Sequence, residues 1–326
     1  MKPSILVLGA GGFVGRRVVD ALQASGSAVP ILGLHRQGSP ASAHLEKRVI
    51  EATNAQSVAS ALRGVSAVVN CGAGDADTIV AGASALIEAA STMNPRPRII
   101  HLSSMTVYGS AEGLIGESAA LIGDLGPYSR AQVAAESVVS KYPHAVILRP
   151  GCEFGPECEQ WSVRIARLLC ARRLGDLGAA GDGCCNLVHI DDVVSAISRA
   201  LLDPNTDGRA FNLAVANAPS WNDFLTHYAI ALGAVPVRRL TGRRLRIETK
   251  LLAPPLKIAE ILARSAGLNT GFLPPPISPS LLRLMAQDIR LDSRAAASAL
   301  GLTWKDPDAF IGETARWFLQ QARGSP

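Results

Sequence analysis

The chain of 326 residues has no apolar run of the roughly 18 residues that a membrane span needs. Its first apolar run, 4–8, ends in a glycine-rich turn, so a signal peptide is not expected either. None of its six cysteines shows the C-x-x-C spacing of a zinc site. We therefore expect a cytoplasmic protein with reduced thiols, no bound metal and no membrane partner.

Lysine is scarce, with six residues among the 32 basic ones, and no block of like charge is long. The formal net charge of +5 is small for this length, so nucleic acid is not an expected partner. Anionic small molecules, including a phosphorylated cofactor, account for the basic balance. Hydrophobic residues make up 48% and charged residues 18%, a composition typical of a folded globular chain.

Short aliphatic runs alternate with amphipathic stretches through residues 1–150. The pattern predicts strands at 4–8, 28–34, 48–50, 67–70, 98–102 and 145–148, and helices at 14–24, 55–63, 76–92 and 128–141. Alternating strands and helices indicate an α/β fold with a doubly wound parallel sheet, here a Rossmann domain.

Residues 151–326 form the predicted remainder, which is richer in proline and glycine. The runs 188–195 and 211–214 predict a partial return to the sheet, at about 186–215. From about residue 219 the pattern indicates a small, mainly helical lobe that binds substrate.

A glycine-rich turn, Gly9-Ala10-Gly11-Gly12-Phe13-Val14-Gly15, follows the first predicted strand and opens the first helix. Glycine permits the tight turn and lets the backbone approach a pyrophosphate, which the helix N-terminus then binds. The motif in this position predicts dinucleotide binding, with Gly9, Gly11, Gly12, Phe13, Val14 and Gly15 as cofactor-binding residues.

The end of the second strand decides between NAD and NADP. An acidic residue there would bond the ribose 2′-hydroxyl, but the chain has His35 and Arg36, so NADP is predicted and NAD is the alternative. Arg36 is either a 2′-phosphate ligand or an ordinary surface residue. The Glu51 carboxylate either accepts a hydrogen bond from the adenine amine or is exposed to solvent. Ala52, next in the chain, is also predicted to contact the cofactor. The remaining predicted cofactor-binding residues are Cys71, Gly72, Ala73, Pro150 and Gly151, which follow later strands.

Motifs along nearly the whole chain resemble those of the extended short-chain dehydrogenase/reductases, the NAD(P)-dependent epimerase/dehydratase-like family. They are Gly9-x-x-Gly12-x-x-Gly15, Ser103-Ser104-Met105-Thr106-Val107-Tyr108-Gly109, Tyr128, Leu148-Arg149-Pro150-Gly151, Phe154-Gly155-Pro156, Asn186-Leu187-Val188-His189-Ile190-Asp191-Asp192 and Leu300-Gly301. The resemblance implies that Ser104 holds the substrate oxygen and that Tyr128 is the general acid/base. The resemblance also implies a possible homodimer, for which this chain shows no motif.

The third catalytic position of the family is a lysine four residues after the tyrosine, and this chain has Gln132 there. Residues i and i+4 share a helix face, so Gln132 is expected beside Tyr128. Without a lysine about 5 Å away, the pKa of Tyr128 is expected near its ordinary value of about 10. That favours reduction, in which a neutral phenol donates a proton, over oxidation, which needs a base.

The sequence predicts an NADP-dependent carbonyl reductase, or ketoreductase, for a small apolar or acyl substrate. Nucleotide-sugar members of the family carry polar side chains that bind the substrate diphosphate at the positions where this chain has Cys152, Asn186 and Leu187. The difference favours a substrate without a diphosphate. An epimerase or dehydratase acting on a sugar nucleotide, and a catalytically weak NADP-binding sensor, remain the alternatives. The arginines at 238, 239, 243, 244 and 246 either bind an anionic substrate or form a solvated face.

Overall fold

The computed structural model describes residues 2–35, 45–265 and 275–324. Its strands are β1 (Ser4–Leu8), β2 (Val29–Leu34), β3 (Lys47–Val49), β4 (Ala67–Asn70), β5 (Arg98–Leu102), β6 (Gly113–Ile115), β7 (Ala145–Pro150), β8 (Cys152–Phe154), β9 (Leu187–His189), β10 (Ala210–Leu213) and β11 (Ile289–Leu291). Its helices are α1 (Phe13–Ser25), α2 (Ala55–Ala61), α3 (Ala76–Thr92), α4 (Pro127–Val139), α5 (Arg164–Cys170), α6 (Ile190–Leu202), α7 (Trp221–Ala231), α8 (Gly242–Ile247), α9 (Ala253–Ser265), α10 (Pro279–Ala286), α11 (Arg294–Leu300) and α12 (Pro307–Gly324). Among these described helices, none is long and apolar enough to cross a membrane.

Seven strands form one parallel sheet in the order β10-β7-β5-β4-β1-β2-β3. Side chains alternate along β1, so that Ile5 and Val7 face a core with α1, α6 and α11, while Leu6 and Leu8 face a core with α2, α3 and α4. Both faces of the sheet are therefore covered, which explains the continuous apolar strands. The predicted doubly wound α/β fold is confirmed.

The predicted return to the sheet is correct for one strand and wrong for the other. β10 joins the edge of the main sheet beside β7. The predicted strand 188–195 is instead the short β9, which pairs with β8 in a separate two-stranded sheet, followed by α6. The His189 ring accepts from the Asp191 backbone N–H and caps α6, and the apolar residues of α6 recur at helical rather than strand spacing.

A second core, built largely from aromatic rings, lies in the lobe that follows β7. Phe154 contacts Phe224, Tyr228 and Phe310, with ring centroids 5.2 to 5.8 Å apart. β8 begins two residues after β7 ends, so the lobe stands directly over the carboxyl end of the main sheet. In open parallel sheets this edge is where ligands bind.

Candidate active site

The glycine turn has a backbone that other residues cannot reproduce. Gly9 has φ of +74°, and a Cβ there would lie 2.6 Å from the carbonyl oxygen of Cys71. A Cβ on Gly15 would collide with the carbonyl group of Gly9. These two glycines are therefore required by the turn itself, where α1 packs against the ends of β1 and β4.

Gly11 differs because the protein leaves space beside it. The nearest atom to a Cβ at Gly11 would be 3.9 Å away, and both Gly11 and Gly12 are exposed. α1 begins at Phe13 with no side-chain cap and no acidic residue in its first turn. An uncapped helix N-terminus beside the open space at Gly11 fits a pyrophosphate.

The carboxyl end of β4 borders the same cleft. The Gly72 backbone N–H donates to the side-chain oxygen of Asn70 at 3.1 Å, and the Asn70 amide nitrogen contacts Nδ1 of His101 at the same distance. Cys71 is half-buried, Gly72 and Ala73 are exposed, and burial raises the pKa of the Cys71 thiol, which keeps the thiol neutral. The side chain of Asn70 thus holds the loop at 71–73 in place. In the sequence, the only sign of this loop was its position after a predicted strand.

The predicted adenine end is described only in part. His35 is exposed at the end of β2, while Arg36 lies outside the described residues. The carboxylate of Glu51 is exposed and accepts from the Thr53 hydroxyl at 2.9 Å, and Ala52 beside it is half-buried. The choice between NAD and NADP stays a prediction from the sequence.

Ser104, Tyr128 and Gln132 lie together. The Ser104 hydroxyl accepts from the Thr106 backbone N–H at 3.3 Å, so it caps the short 3₁₀ turn at Met105–Tyr108 as well as facing Tyr128. Tyr128 is in the first turn of α4, with 48% of its surface exposed. Gln132, one turn later and buried, donates from Nε2 to the Tyr128 hydroxyl at 2.9 Å.

The surroundings of Tyr128 keep its hydroxyl neutral. Partial burial is the largest cause that raises its pKa, and the charge of Glu153 also raises it, while hydrogen bonds with Gln132 and Ser104 lower it. The balance is a raised pKa, so at neutral pH the phenol carries its proton.

Gln132 also has an unused acceptor. Its Oε1 is buried and has no hydrogen-bond partner among the described residues. A buried amide oxygen without a partner costs stability, which indicates a missing donor at this place. A ribose hydroxyl of a bound dinucleotide is a donor of the right kind, and the side chain is thus suited to the cofactor.

A buried network holds α4 against the sheet. Arg149 on β7 forms a two-pronged ion pair with Glu136 at 2.6 to 3.1 Å, and the Ser103 hydroxyl donates to the same carboxylate at 2.5 Å. Arg149 also donates to the Tyr108 hydroxyl at 2.8 Å, which donates to Asn212. The network ties β5, β7, β10 and α4 together, so Ser104 and Tyr128 keep a fixed separation.

Glu153 is a carboxyl group of the site that the sequence did not predict. Side chains alternate along β8, and since Cys152 and Phe154 point into the core of the lobe, Glu153 points to the opposite side, from which its charge raises the pKa of Tyr128 and of Cys71. It forms no ion pair among the described residues, and burial raises its pKa from 4.5 to about 7. A lone acid between two apolar strand residues is the signal that could have identified it.

Two positions near the lobe have structural roles. The Asn186 side chain donates to the Ile289 carbonyl at 2.7 Å and accepts from the Leu291 backbone N–H at 2.8 Å, so it secures β11. A Cβ on Gly151, just after Pro150, would collide with the backbone of Asn186, and the Gly151 N–H donates to Leu213. The packing of β8 against β9 therefore explains the glycine at 151, whatever cofactor contact it makes.

Comparison with known proteins gives the class of the protein. A sequence model of the NAD dependent epimerase/dehydratase family matches residues 5–214, more than half of the chain. The chain belongs to that family, which confirms the resemblance drawn from its motifs. No curated protein matches it.

Solved structures with the same fold include sugar-nucleotide enzymes. UDP-glucuronic acid 4-epimerase from Bacillus cereus, in complex with UDP-glucuronic acid and NAD, aligns with a TM-score of 0.72 at 18% identity over 98% of this chain and 99% of its own. UDP-N-acetylglucosamine 4-epimerase from Bacillus cereus gives 0.71 at 16% identity, covering 97% and 99%. dTDP-glucose 4,6-dehydratase from Bacillus anthracis, in complex with NAD, gives 0.70 at 17% identity, covering 99% and 98%.

Proposed function

We propose that the chain is a nicotinamide-dinucleotide-dependent epimerase or dehydratase that acts on a nucleotide-linked sugar. Family membership and the sugar-nucleotide enzymes among its structural neighbours favour this reading over the carbonyl reductase predicted from the sequence. The observation that carries it is the Tyr128 hydroxyl, which is hydrogen-bonded to Ser104 and Gln132 and whose pKa is raised in part by the charge of Glu153.

Each side chain has a role that its contacts support. The dinucleotide, when bound, supplies the hydride acceptor and donor of the reaction. Ser104 and Tyr128 bind the substrate oxygen, with Tyr128 holding the proton on its hydroxyl. Gln132 accepts from a ribose hydroxyl through its free Oε1 and orients the Tyr128 hydroxyl through Nε2.

Oxidation of a sugar hydroxyl needs a base, and Gln132 carries no charge to help Tyr128 ionise. Glu153 answers that need as a second base, because a carboxyl group with a pKa of about 7 is partly ionised at neutral pH and can accept a proton, even though its negative charge raises the pKa of Tyr128. In this proposal Glu153 takes the proton that leaves the site when the substrate hydroxyl is oxidised.

The carbonyl reductase is the second candidate, and the state of Tyr128 favours it. A phenol with a raised pKa donates a proton to a developing alkoxide and needs no base. The absence of a carboxylate at the end of β2 likewise favours NADP for such an enzyme, whereas the NAD in the neighbouring structures favours NAD.

The test begins with the cofactor. The purified full chain is denatured, and any released dinucleotide is identified by chromatography; fluorescence titrations with NADH and NADPH follow. Tightly retained NAD supports the epimerase or dehydratase, which regenerates its cofactor in each turnover. A protein that is isolated empty and prefers NADPH supports the reductase.

Turnover separates the classes. The parent protein, Tyr128→Phe and Gln132→Lys are incubated with UDP-sugars and dTDP-sugars, and separately with ketones and ketoesters plus NADPH. Tyr142→Phe is the matched control, because its hydroxyl bonds the Pro97 carbonyl outside the site. Conversion of a sugar nucleotide that Tyr128→Phe abolishes supports the proposal, and NADPH consumption with ketones alone refutes it. No turnover by any version supports the sensor alternative.

A further inference from the structure

A row of large aliphatic side chains is exposed on one helical segment of the lobe. The segment runs without a break through α8, a π-helical turn at Glu248–Leu252, and α9. Exposed fractions are 67% for Leu251, 62% for Leu262, 59% for Ile258, 55% for Ile261 and 41% for Ile247. Apolar residues this exposed and this close together are unusual on a soluble surface and indicate an interaction site.

Three of these residues, Ile258, Ile261 and Leu262, lie three and four residues apart on α9 and therefore share one face of that helix. Ile247 lies on α8 and Leu251 in the π-helical turn, earlier in the same continuous segment. We call Ile247, Leu251, Ile258, Ile261 and Leu262 the aliphatic face. Pro254 and Pro255 are also exposed between them.

The aliphatic face cannot turn inward, because the opposite side of the segment is anchored. Leu245 and Ala253 are buried against the lobe. The Glu248 carboxylate is buried and forms an ion pair with Arg173 at 2.6 Å, and Arg173 also donates to the Pro275 carbonyl. Rotation of the segment would break a buried ion pair, which is strongly unfavourable.

Basic residues flank the aliphatic face. Arg243, Arg246, Lys250 and Lys257 are exposed on the same segment, interspersed along the chain with the residues of the aliphatic face. The sequence 242–265 contains six basic and two acidic residues. One of those acids, Glu248, is paired with Arg173, and the sequence of the segment has a net positive charge.

We propose that the aliphatic face and its basic flank lie on the surface of an anionic phospholipid membrane. An apolar stripe bordered by Lys and Arg is the pattern of a helix that rests in the interface between headgroups and acyl chains, with the cations near the phosphates. The face contains only aliphatic residues, without the aromatic or hydrogen-bonding anchors that mark a specific protein interface. A helix of this kind needs no spanning run, so the sequence test for membrane spans could not detect it.

The test uses the full chain with vesicles of phosphatidylcholine alone or mixed with phosphatidylglycerol, in a co-sedimentation assay. We expect binding to the mixed vesicles, weaker binding at high salt, and little binding to phosphatidylcholine alone. Ile258→Glu/Leu262→Glu should reduce the bound fraction at least about tenfold, because two apolar anchors become charged. Arg246→Glu/Lys250→Glu should remove the salt-dependent part.

Leu114→Glu/Leu202→Glu is the matched control, because these side chains are 67% and 71% exposed on other parts of the surface. It should bind like the parent, and thermal unfolding should show all variants folded. The proposal is overturned if the parent does not prefer anionic vesicles, or if the control weakens binding as much as Ile258→Glu/Leu262→Glu. It is also overturned if the parent self-associates through this face, shown by a dimer that Ile258→Glu/Leu262→Glu separates without any vesicle binding.

Discussion

At the residue scale, the site has the amide of Gln132 at the position where the resemblance to the family implies a lysine. Gln132 donates to the Tyr128 hydroxyl at 2.9 Å, the orientation expected from an i, i+4 pair on one helix face. A neutral donor stabilises tyrosinate less than a charged one does. Burial and the charge of Glu153 therefore prevail, and the pKa of Tyr128 rises.

Gln132→Lys should reverse this balance. A cation within hydrogen-bonding distance favours tyrosinate, and we expect the pKa of Tyr128 to fall below its value in the parent. The measurement is the ultraviolet absorbance of tyrosinate during an alkaline titration, with the Tyr128→Phe curve subtracted to isolate this residue. Gln132→Met, which removes the donor without adding charge, is the control and should not lower the pKa. An unchanged titration of Gln132→Lys would contradict the electrostatic account.

At the element scale, two devices position the site: the turn before α1 and the network that binds α4 to the sheet. The turn depends on glycines for two separable reasons. Gly15 is needed because α1 passes close to the Gly9 carbonyl, whereas Gly11 leaves open space. The network depends on Glu136 and Arg149, both buried, which satisfy each other.

Gly11→Ala and Gly15→Ala should therefore differ. We expect Gly11→Ala to leave the free energy of unfolding within about 0.5 kcal/mol of the parent and to weaken dinucleotide binding at least about tenfold. Gly15→Ala should impair both, because its Cβ collides with backbone. Denaturant unfolding and fluorescence titration with NADH and NADPH give the two readouts, and Gly116→Ala, which meets nothing within 4 Å, is the control. Equal cofactor affinity in Gly11→Ala and the parent would place the pyrophosphate elsewhere.

Arg149→Met should destabilise the fold strongly, because it leaves the buried carboxylate of Glu136 without its cation. We expect a loss of about 3 to 5 kcal/mol in the free energy of unfolding. The control is Arg294→Met, which removes an ion pair with Asp292 in which the Arg294 side chain is 84% exposed, and it should cost less than about 1 kcal/mol. Similar losses in the two variants, measured by denaturant unfolding, would show that the network does not support α4.

At the scale of the whole molecule, the lobe completes the site by bringing Glu153 over the sheet. The link between the lobe and the Rossmann domain also includes Lys305, whose backbone N–H donates to Asp192 and whose ammonium group pairs with Asp191. Residues of the 189–192 segment thus cap α6 and hold the chain that leads into α12. Because the site lies between two cores, its titration affects the stability of the whole fold.

The free energy of unfolding should depend on pH because Glu153 titrates. Its pKa of about 7 in the folded protein exceeds 4.5, so the folded state holds a proton that the unfolded state releases. The stability that this proton provides is complete below pH 4.5 and is lost as the pH rises to about 7. Glu153→Gln should remove this pH-dependent loss of stability. Relative to the parent, the free energy of unfolding of the variant should therefore rise by up to about 3 kcal/mol as the pH rises from 4.5 to about 7.

The measurement is denaturant unfolding of the parent and of Glu153→Gln between pH 4 and pH 8. His101 has its pKa lowered to about 4 by burial, so it removes stability as the pH falls below 6.5; it is present in both proteins and cancels in the difference. Glu112→Gln, at an exposed position, is the control and should follow the parent. A constant difference between Glu153→Gln and the parent would show that the carboxyl group titrates normally.

The sequence by itself determined the parallel sheet, the turn at Gly9–Gly15 and the pairing of Tyr128 with Gln132, because each rests on local periodicity, backbone freedom or helix spacing. The strand predicted at 188–195 was wrong, because the apolar residues there fit a strand as well as a helix. The structure has α6 there, with His189 capping its N-terminus. Only the tertiary structure decided that Glu153 comes near enough to Tyr128 for its charge to raise the pKa of Tyr128, that Glu136 pairs with Arg149 and that the aliphatic face is exposed. The two contacts depend on which distant segments of the chain pack together, and the exposure depends on which surfaces stay open to solvent after packing. A local sequence pattern specifies neither.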